Sequence, residues 1–276
     1  MASRSLEIRS FAKINLDLRV LHKSGGFHEL RTVFQTVSLH DTIGIQVTAS
    51  RKRELSIEDR FDIPDNLILR AARLVLDELK VNARVHFTLT KRIPMGAGLG
   101  GGSSNAAAVL RALPGLLGKK LDAAKARELG AMLGSDVPFF LLGGTALGLG
   151  RGTELYPLPD IKSEPIAIVH TGIHVATGPA YVALGRTEQY PAAARAIAEF
   201  QDYVRALSDL RVASSLSGVN DFEGPVFAAH PALRKSAQAL KRAGSSNVRM
   251  SGSGSDRKST RLNSSYTDIS RMPSSA

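Results

Sequence analysis

The chain has 276 residues, 43% hydrophobic and 22% charged, enough for one large or two modest domains with a real core. It has no cysteine, which excludes disulfides, thiolate metal sites and a cysteine nucleophile, and no apolar run of about 18 residues that could span a bilayer. The formal charge of +11 invites polyanions, but the basic residues are scattered and tryptophan is absent, so base stacking with nucleic acid has little to work with. Residues 1–7 run straight into a strand pattern without the apolar segment of a signal peptide, so the default compartment is the cytoplasm.

From residue 6 to 20 the even positions are mostly apolar (Leu6, Ile8, Ala12, Ile14, Leu16, Leu18, Val20), and the odd ones include Arg9, Lys13, Asn15, Asp17 and Arg19. Period two predicts a strand with the even face buried and with Lys13 and Asn15 side by side on the other face. Strands are expected over 33–39 and 42–48, separated at His40-Asp41, with Arg51-Lys52-Arg53 in a solvated hairpin turn. Pro64-Asp65-Asn66 opens a helix whose apolar stripe is Leu67, Ala71, Leu74, Val75 and Leu79. Residues 84–93 alternate again and Pro94 ends that strand. A helix begins near Ala106, Pro114-Gly115 and Gly118 break the chain, and a second helix from 122 to 133 stops at Gly134.

Residues 144–149 read as a strand, Arg151-Gly152 as a turn, and 157–165 as a crossover between domains. A strand over 166–170, helices over 179–184, 191–207 and 231–242, and a strand starting at 248–250 complete the pattern, ahead of a second glycine-serine turn over 251–254. Order and type give an α+β protein with domains over 1–157 and 158–255. Residues 256–276, rich in serine and arginine with no useful period, look like a non-native tail in place of a final strand and helix, a truncated C-terminal end.

Everything is organised around Pro94-Met95-Gly96-Ala97-Gly98-Leu99-Gly100-Gly101-Gly102-Ser103-Ser104-Asn105, with five glycines between 96 and 102. So many glycines suit neither a packed strand nor a helix interior; they permit positive φ and let main-chain N–H groups approach a ligand closely. Ser103, Ser104 or Asn105 can cap the helix that follows, whose leading N–H groups have no partner inside it. A glycine nest running into a helix N-terminus attracts anions, so this stretch reads as a phosphate cradle. A Walker A loop needs Lys directly before its last Ser or Thr, and here Gly102 precedes Ser103. A dinucleotide fingerprint fits Gly96, Gly98 and Gly101, but it wants a second strand ending in Asp or Glu about 20 residues on, where 121–133 is a helical pattern. The H-R-D and D-F-G tripeptides that accompany a protein-kinase loop are absent.

Residues 94–108 resemble the phosphate loop of the GHMP small-molecule kinases, with its signature P-x-x-x-G-L-G-S/G-S-S-x-A. Ser10-Phe11-Ala12-Lys13-Ile14-Asn15-Leu16, Gly26-Phe27-His28-Glu29-Leu30 and Gly134-Ser135-Asp136-Val137-Pro138-Phe139-Phe140 look like the branch acting on a cytidine-diphosphate-linked methylerythritol. Residues 250–254 resemble the third motif of the superfamily. The resemblance implies a two-domain fold, an N-terminal ribosomal-protein-like domain and a C-terminal α/β-plait-like one. It also implies transfer of the γ-phosphoryl group of ATP, with Mg2+, to the tertiary 2-hydroxyl of that small molecule, in the non-mevalonate isoprenoid pathway. Neither nucleic acid nor membrane is an expected partner.

On the same resemblance, Pro94, Met95, Gly96, Ala97, Gly98, Leu99, Gly100, Gly101, Gly102, Ser103 and Ser104 hold the ATP phosphates. The two serines add hydroxyl donors or reach Mg2+. Asp136 is the catalytic carboxylate that accepts the substrate hydroxyl proton, and Lys13 lies beside it and counters developing charge. Asn15 and His28 bind the cytidine-diphosphate part. Phe27, where the family commonly has Tyr, keeps base stacking without a phenol hydrogen bond. Tyr181 stacks on the other cytosine face or packs as an ordinary tyrosine, and Thr177 reaches the substrate hydroxyl region. Asn220-Asp221-Phe222-Glu223 reads as a helix anchor. Read without the resemblance, Asp136 is an N-cap, Lys13 a solvated strand lysine and His28 a surface histidine.

Two rivals stand. A kinase acting on homoserine or a mevalonate derivative is disfavoured because Lys13-Ile14-Asn15 with Phe27-His28 suits a cytidine diphosphate handle. A non-catalytic nucleotide- or RNA-binding module would have no use for both Lys13 and Asp136.

Overall fold

The period-two stretch at the start of the chain forms β1 (Ser3–Ser24), and β2 (Phe27–Ala49) follows a turn in which Gly25 and Gly26 both take positive φ, as a tight hairpin between twisted strands requires. A computed structural model describes residues 3–210, 216–245 and 247–253 and the backbone of 266–271. By compactness the chain falls into two units, each drawing on three stretches: Met1–Ala12, Leu39–Ile93 and Gly100–Leu142 in one, Lys13–Ser38, Pro94–Leu99 and Gly143–Ala276 in the other.

In the first unit β4 (Ala83–Thr90) pairs antiparallel with β2 from Thr42↔Thr90 to Ala49↔Ala83, and β3 (Glu54–Asp59) runs parallel to β4. That parallel pairing, bridged by α1 (Leu67–Glu78), means Arg51-Lys52-Arg53 does not close a hairpin. Asn66 caps α1 by accepting the Ile68 N–H at 3.0 Å. The buried stripe of α1 is Ile68, Ala71, Ala72, Val75 and Leu76, rotated from the one expected, and α1 packs on α2 (Gly101–Leu116). Pro114 and Gly115 lie inside α2 rather than breaking it, and the chain leaves at Gly118, with φ of 68°. Asp122 caps α3 (Ala123–Leu133) through the N–H groups of Ala124 and Lys125. Residues read only as a lead-in to a strand form α4 (Val137–Leu142), with Pro138 in its first turn, where a missing N–H costs nothing.

His40-Asp41 does not interrupt β2. Asp41 is fully buried, and its carboxylate takes the N–H groups of Arg92 and Ile93 at 2.7 and 2.8 Å and the Lys91 ammonium at 2.7 Å. A residue with turn chemistry in isolation is here an internal acceptor for the end of β4.

In the second unit β5 (Thr145–Gly150) pairs antiparallel with β2 from Leu30↔Gly150 to Gln35↔Thr145, and β6 (Glu154–Leu158) continues from β5. Pro157, expected in a crossover, is thus a strand residue at the sheet's edge, where a proline is tolerated. β7 (Pro165–His170) is followed by α5 (Thr177–Ala183), α6 (Ala193–Leu210), α7 (Glu223–Ala229) and α8 (Pro231–Arg242). Leu18, Val20, Val175, Ala180, Phe222 and Val226 form a core in this unit. No strand forms over 248–250. Within the stretch 256–276 only the backbone of 266–271 is described; it forms β8 (Tyr266–Arg271), antiparallel to β7, and the rest of that predicted tail lies outside the described residues.

Candidate active site

In the first unit the residue that opens α2 is Gly100, at φ 69° and ψ 19°, and no side chain caps the helix. None of the three expected caps serves. Gly101 and Gly102, read as loop, are already helical, which moves the serines past the capping position. The Ser104 hydroxyl is engaged inside the protein, donating to the Phe11 carbonyl at 2.6 Å and accepting from Ser10 Oγ at 2.7 Å. The N–H groups of Gly101, Gly102 and Ser103 point out of the first turn without helical acceptors. Gly101 has no room for a side chain: a Cβ there would lie 2.7 Å from Lys91 Nζ and 3.0 Å from Ile93. Burial pulls the Lys91 ammonium below its ordinary range, and Asp41 opposes that pull. Asp136, half-buried, directly precedes α4.

The remainder of the glycine loop, Pro94–Leu99, belongs to the second unit. Gly96 and Gly98 both sit at φ 71°, and a Cβ on Gly98 would lie 2.0 Å from the Ser251 carbonyl oxygen, so glycine alone fits. Two carbonyls of the loop are taken: Ser251 Oγ donates to Gly98 at 3.1 Å and the Lys13 N–H to Leu99 at 3.0 Å. The second glycine turn is therefore a brace for the first. Asn220 holds that brace, its Nδ2 donating to the carbonyls of Met250 and Gly252 at 2.9 Å each, while Glu223 accepts the Met250 N–H at 2.8 Å. Asn220 also accepts the Phe222 N–H at the start of α7, so it anchors the helix as expected and clamps the turn as well.

The polar face of β1 is buried rather than solvated. Lys13, Asn15, Asp17 and Arg19 are all nearly inaccessible, while on the even face Ala12, Leu18 and Val20 are buried as expected and Leu6 is exposed. These side chains satisfy one another, as buried polar groups must. The Lys13 ammonium donates to Asn15 Oδ1 at 2.8 Å and lies 5.4 Å from the centre of the Phe34 ring. Gly252 N–H donates to the same Asn15 oxygen at 3.0 Å, and Asn15 Nδ2 donates to Thr32 Oγ1 at 2.8 Å. Asp17 takes Arg19 Nε at 3.1 Å and the Val219 N–H at 2.8 Å, and Arg19 also donates to Glu199 at 2.8 Å. Burial pushes the Asp17 carboxyl up, with Arg19 and the Val219 N–H pulling it back. A cavity of about 570 Å³ is lined by Asn15, by Gly96, Ala97 and Leu99, and by Met250 and Ser251, with β7 and α8 also contributing.

The residues expected around a nucleobase also belong to the second unit. Phe27 is 51% exposed, with the Arg151 guanidinium 3.8 Å over its ring. His28 stacks on Tyr181, centroids 4.8 Å apart at 25°, and Tyr181 meets Phe222 edge-on at 4.8 Å. Tyr181 is thus packed against the core and also presents a ring face to His28. Burial lowers the His28 pKa, with a backbone hydrogen bond at Arg186 opposing it, which keeps the ring neutral at pH 7. Thr177 opens α5, and its hydroxyl lies 3.3 Å from Ser253 Oγ.

Sequence reasoning missed Thr32, Asp17, Arg19 and the Asp41–Lys91 pair. The unbroken run of four polar residues at alternate positions of β1 was the available signal for Asp17 and Arg19. Among the described residues no cluster of three His, Asp or Glu could hold a metal ion, and no helix is long and apolar enough to cross a membrane.

Residues 66–144 match the family described as GHMP kinases N terminal domain. The 4-diphosphocytidyl-2-C-methyl-D-erythritol kinase of Solibacter usitatus is 51% identical over 261 residues, covering 92% of this chain and 80% of that protein. A crystal structure of 4-(cytidine 5'-diphospho)-2C-methyl-D-erythritol kinase superposes with a TM-score of 0.73 at 35% identity, covering 91% of this chain and 88% of the other. Homoserine kinase from Cytophaga hutchinsonii, at a TM-score of 0.66 and 22% identity over 91% of this chain and 82% of its own, shares the fold alone. With its α+β architecture and an interlocked pair of glycine turns, the chain belongs to the 4-diphosphocytidyl-2-C-methyl-D-erythritol kinase family of the GHMP kinases.

Proposed function

We propose that the protein transfers the γ-phosphoryl group of ATP to the 2-hydroxyl of 4-diphosphocytidyl-2-C-methyl-D-erythritol, in the cytoplasm, as a step toward isoprenoid precursors. The observation that carries this reading is the state of the loop amides. Three alternate glycines at positive φ lead into an uncapped helix, and among the described residues the N–H groups of Gly96, Gly98 and residues 100–103 make no hydrogen bond. Oriented, unused amides beside a helix N-terminus are suited to a polyphosphate.

In the transfer, the substrate hydroxyl oxygen bonds to the γ-phosphorus, the bond from that phosphorus to the β–γ bridging oxygen breaks, and ADP leaves. Asp136 takes the hydroxyl proton. Charge spreads over the γ-phosphoryl oxygens, where the loop amides and the Lys13 ammonium oppose it. Mg2+ bound with ATP would neutralise phosphate charge. Ser103 fits as a protein ligand because its hydroxyl makes no hydrogen bond among the described residues, whereas that of Ser104 is already engaged. Asn15, Phe27, His28 and Tyr181 form the cytidine-diphosphate side of the site, and Thr177 reaches the substrate hydroxyl region. Neutral His28, its one N–H engaged by the Arg186 backbone, offers its other ring nitrogen to the base as an acceptor.

The test is coupled ADP release with ATP and Mg2+ against a substrate panel. ADP should appear one for one with the cytidine-linked substrate and at background with homoserine or mevalonate. No turnover with the cytidine-linked substrate, together with salt-dependent RNA binding, would overturn the reading in favour of a binding module.

A further inference from the structure

Thr32 lies on β2 and is wholly buried. Its hydroxyl donates to the main-chain carbonyl of Asp17 at 2.7 Å and stands 2.8 Å from Asn15 Nδ2. A hydroxyl has one hydrogen, and here Asp17 receives it. Toward Asn15, the Thr32 oxygen can only accept. The carboxamide of Asn15 is thereby fixed with its NH2 end on Thr32 and its oxygen on the opposite side. There it receives the Lys13 ammonium at 2.8 Å and the Gly252 N–H at 3.0 Å. Turned over, the carboxamide would set an NH2 group against an ammonium and an N–H, and an oxygen against an oxygen. Each of those contacts is repulsive in a buried site.

We propose that Thr32 is a positioning residue for phosphoryl transfer, acting on Lys13 through the carboxamide of Asn15. The same carboxamide ties Lys13 to the second glycine turn, so one hydroxyl sets the orientation of a group serving both. The inference rests on the reading of Lys13 as the cation that opposes charge on the γ-phosphoryl group. Thr32→Val keeps the shape of the side chain and removes the hydroxyl, leaving Asn15 Nδ2 and the Asp17 carbonyl without their partner.

The experiment measures kcat, KM for ATP and melting temperature for Thr32→Ser, Thr32→Cys, Thr32→Val, Asn15→Ala, the Thr32→Val/Asn15→Ala double variant and Lys13→Ala. Thr32→Val should lower kcat by about 10- to 100-fold, the span expected for losing a hydrogen bond that orients a charged group, with KM for ATP little changed. Thr32→Ser should restore most of kcat and Thr32→Cys less. In the Asn15→Ala background the Thr32→Val effect on kcat should vanish, because the carboxamide through which Thr32 acts is gone. A merely structural Thr32 would give the same loss in both backgrounds, and that result, or wild-type kcat in Thr32→Val, overturns the inference. If Thr32→Val does not fold, the Thr, Ser, Cys order in kcat decides, and equal rates in all three count against it. Lys13→Ala separates the two levels. Undiminished turnover there removes the reading of Lys13 and this inference with it, whereas loss of turnover beside a fully active Thr32→Val removes the inference alone.

Discussion

The carboxamide oxygen of Asn15 lies 2.8 Å from the ammonium of Lys13, two residues earlier on the same strand, and both side chains are buried. A lysine held in the interior is not a solvated surface residue. The carboxamide and the face of Phe34 offset part of its desolvation.

Lys13→Ala and Asp136→Ala should each lower kcat by about 10²–10⁴ while leaving ATP affinity largely intact. Steady-state kinetics alongside calorimetric titration of a non-hydrolysable ATP analogue checks both halves of that statement. Turnover within a few-fold of wild type removes the residue concerned from the mechanism.

Two glycines of one loop should fail in different ways. Gly98→Ala meets the Ser251 carbonyl at 2.0 Å and strains a φ of 71°, so stability should fall by about 2–4 kcal/mol. A Cβ on Gly102 touches only Leu67, at 3.4 Å, so Gly102→Ala should melt near wild type and show its defect in KM for ATP. Denaturant unfolding of the two variants tests the contrast, and equal stability would contradict it.

Asn220 makes three hydrogen bonds, to Met250, Gly252 and Phe222, from a buried position. Asn220→Ala should destabilise the protein by about 2–4 kcal/mol. Asn220→Asp keeps the acceptor for Phe222 but sets carboxylate oxygen against two carbonyl oxygens, so it should be at least as damaging. Thermal melting ranks the pair, and a milder aspartate variant would show that the clamp on the second turn matters little.

The folded pKa of His28 lies below its unfolded value because of burial. Well above about pH 6.5 both states are neutral and the residue contributes no pH dependence. As pH falls through that value toward the folded pKa, the unfolded chain binds the proton first and stability declines. His28→Gln should flatten part of the acid-side fall in melting temperature. His170, lowered by the same cause, should retain a further part of it. A wild-type profile in His28→Gln would show that the ring titrates alike in both states.

Local chemistry was legible in the sequence. Asn66 and Asp122 cap the helices their positions suggest, α8 runs from Pro231 to Arg242 as read, and the glycine loop lies between a strand and a helix. What the sequence could not show depends on distant partners. Period two fixes which residues of β1 share a face but not that the polar face is buried along with the apolar one. That was decided by Thr32 and Val219, remote in sequence from Asn15 and Asp17. The expected strand at 248–250 does not form, and the Met250 N–H and carbonyl are held by the side chains of Glu223 and Asn220 rather than by a strand partner. Serines that looked like caps lost that role because two glycines joined the helix ahead of them.

The most direct measurement is the backbone amide spectrum of the isotope-labelled protein as ATP and Mg2+ are added. The amides of Gly96, Gly98 and residues 100–103 should shift together and saturate with the affinity measured kinetically. ATP that binds and turns over while those amides stay unmoved would contradict the claim that this loop holds the phosphates.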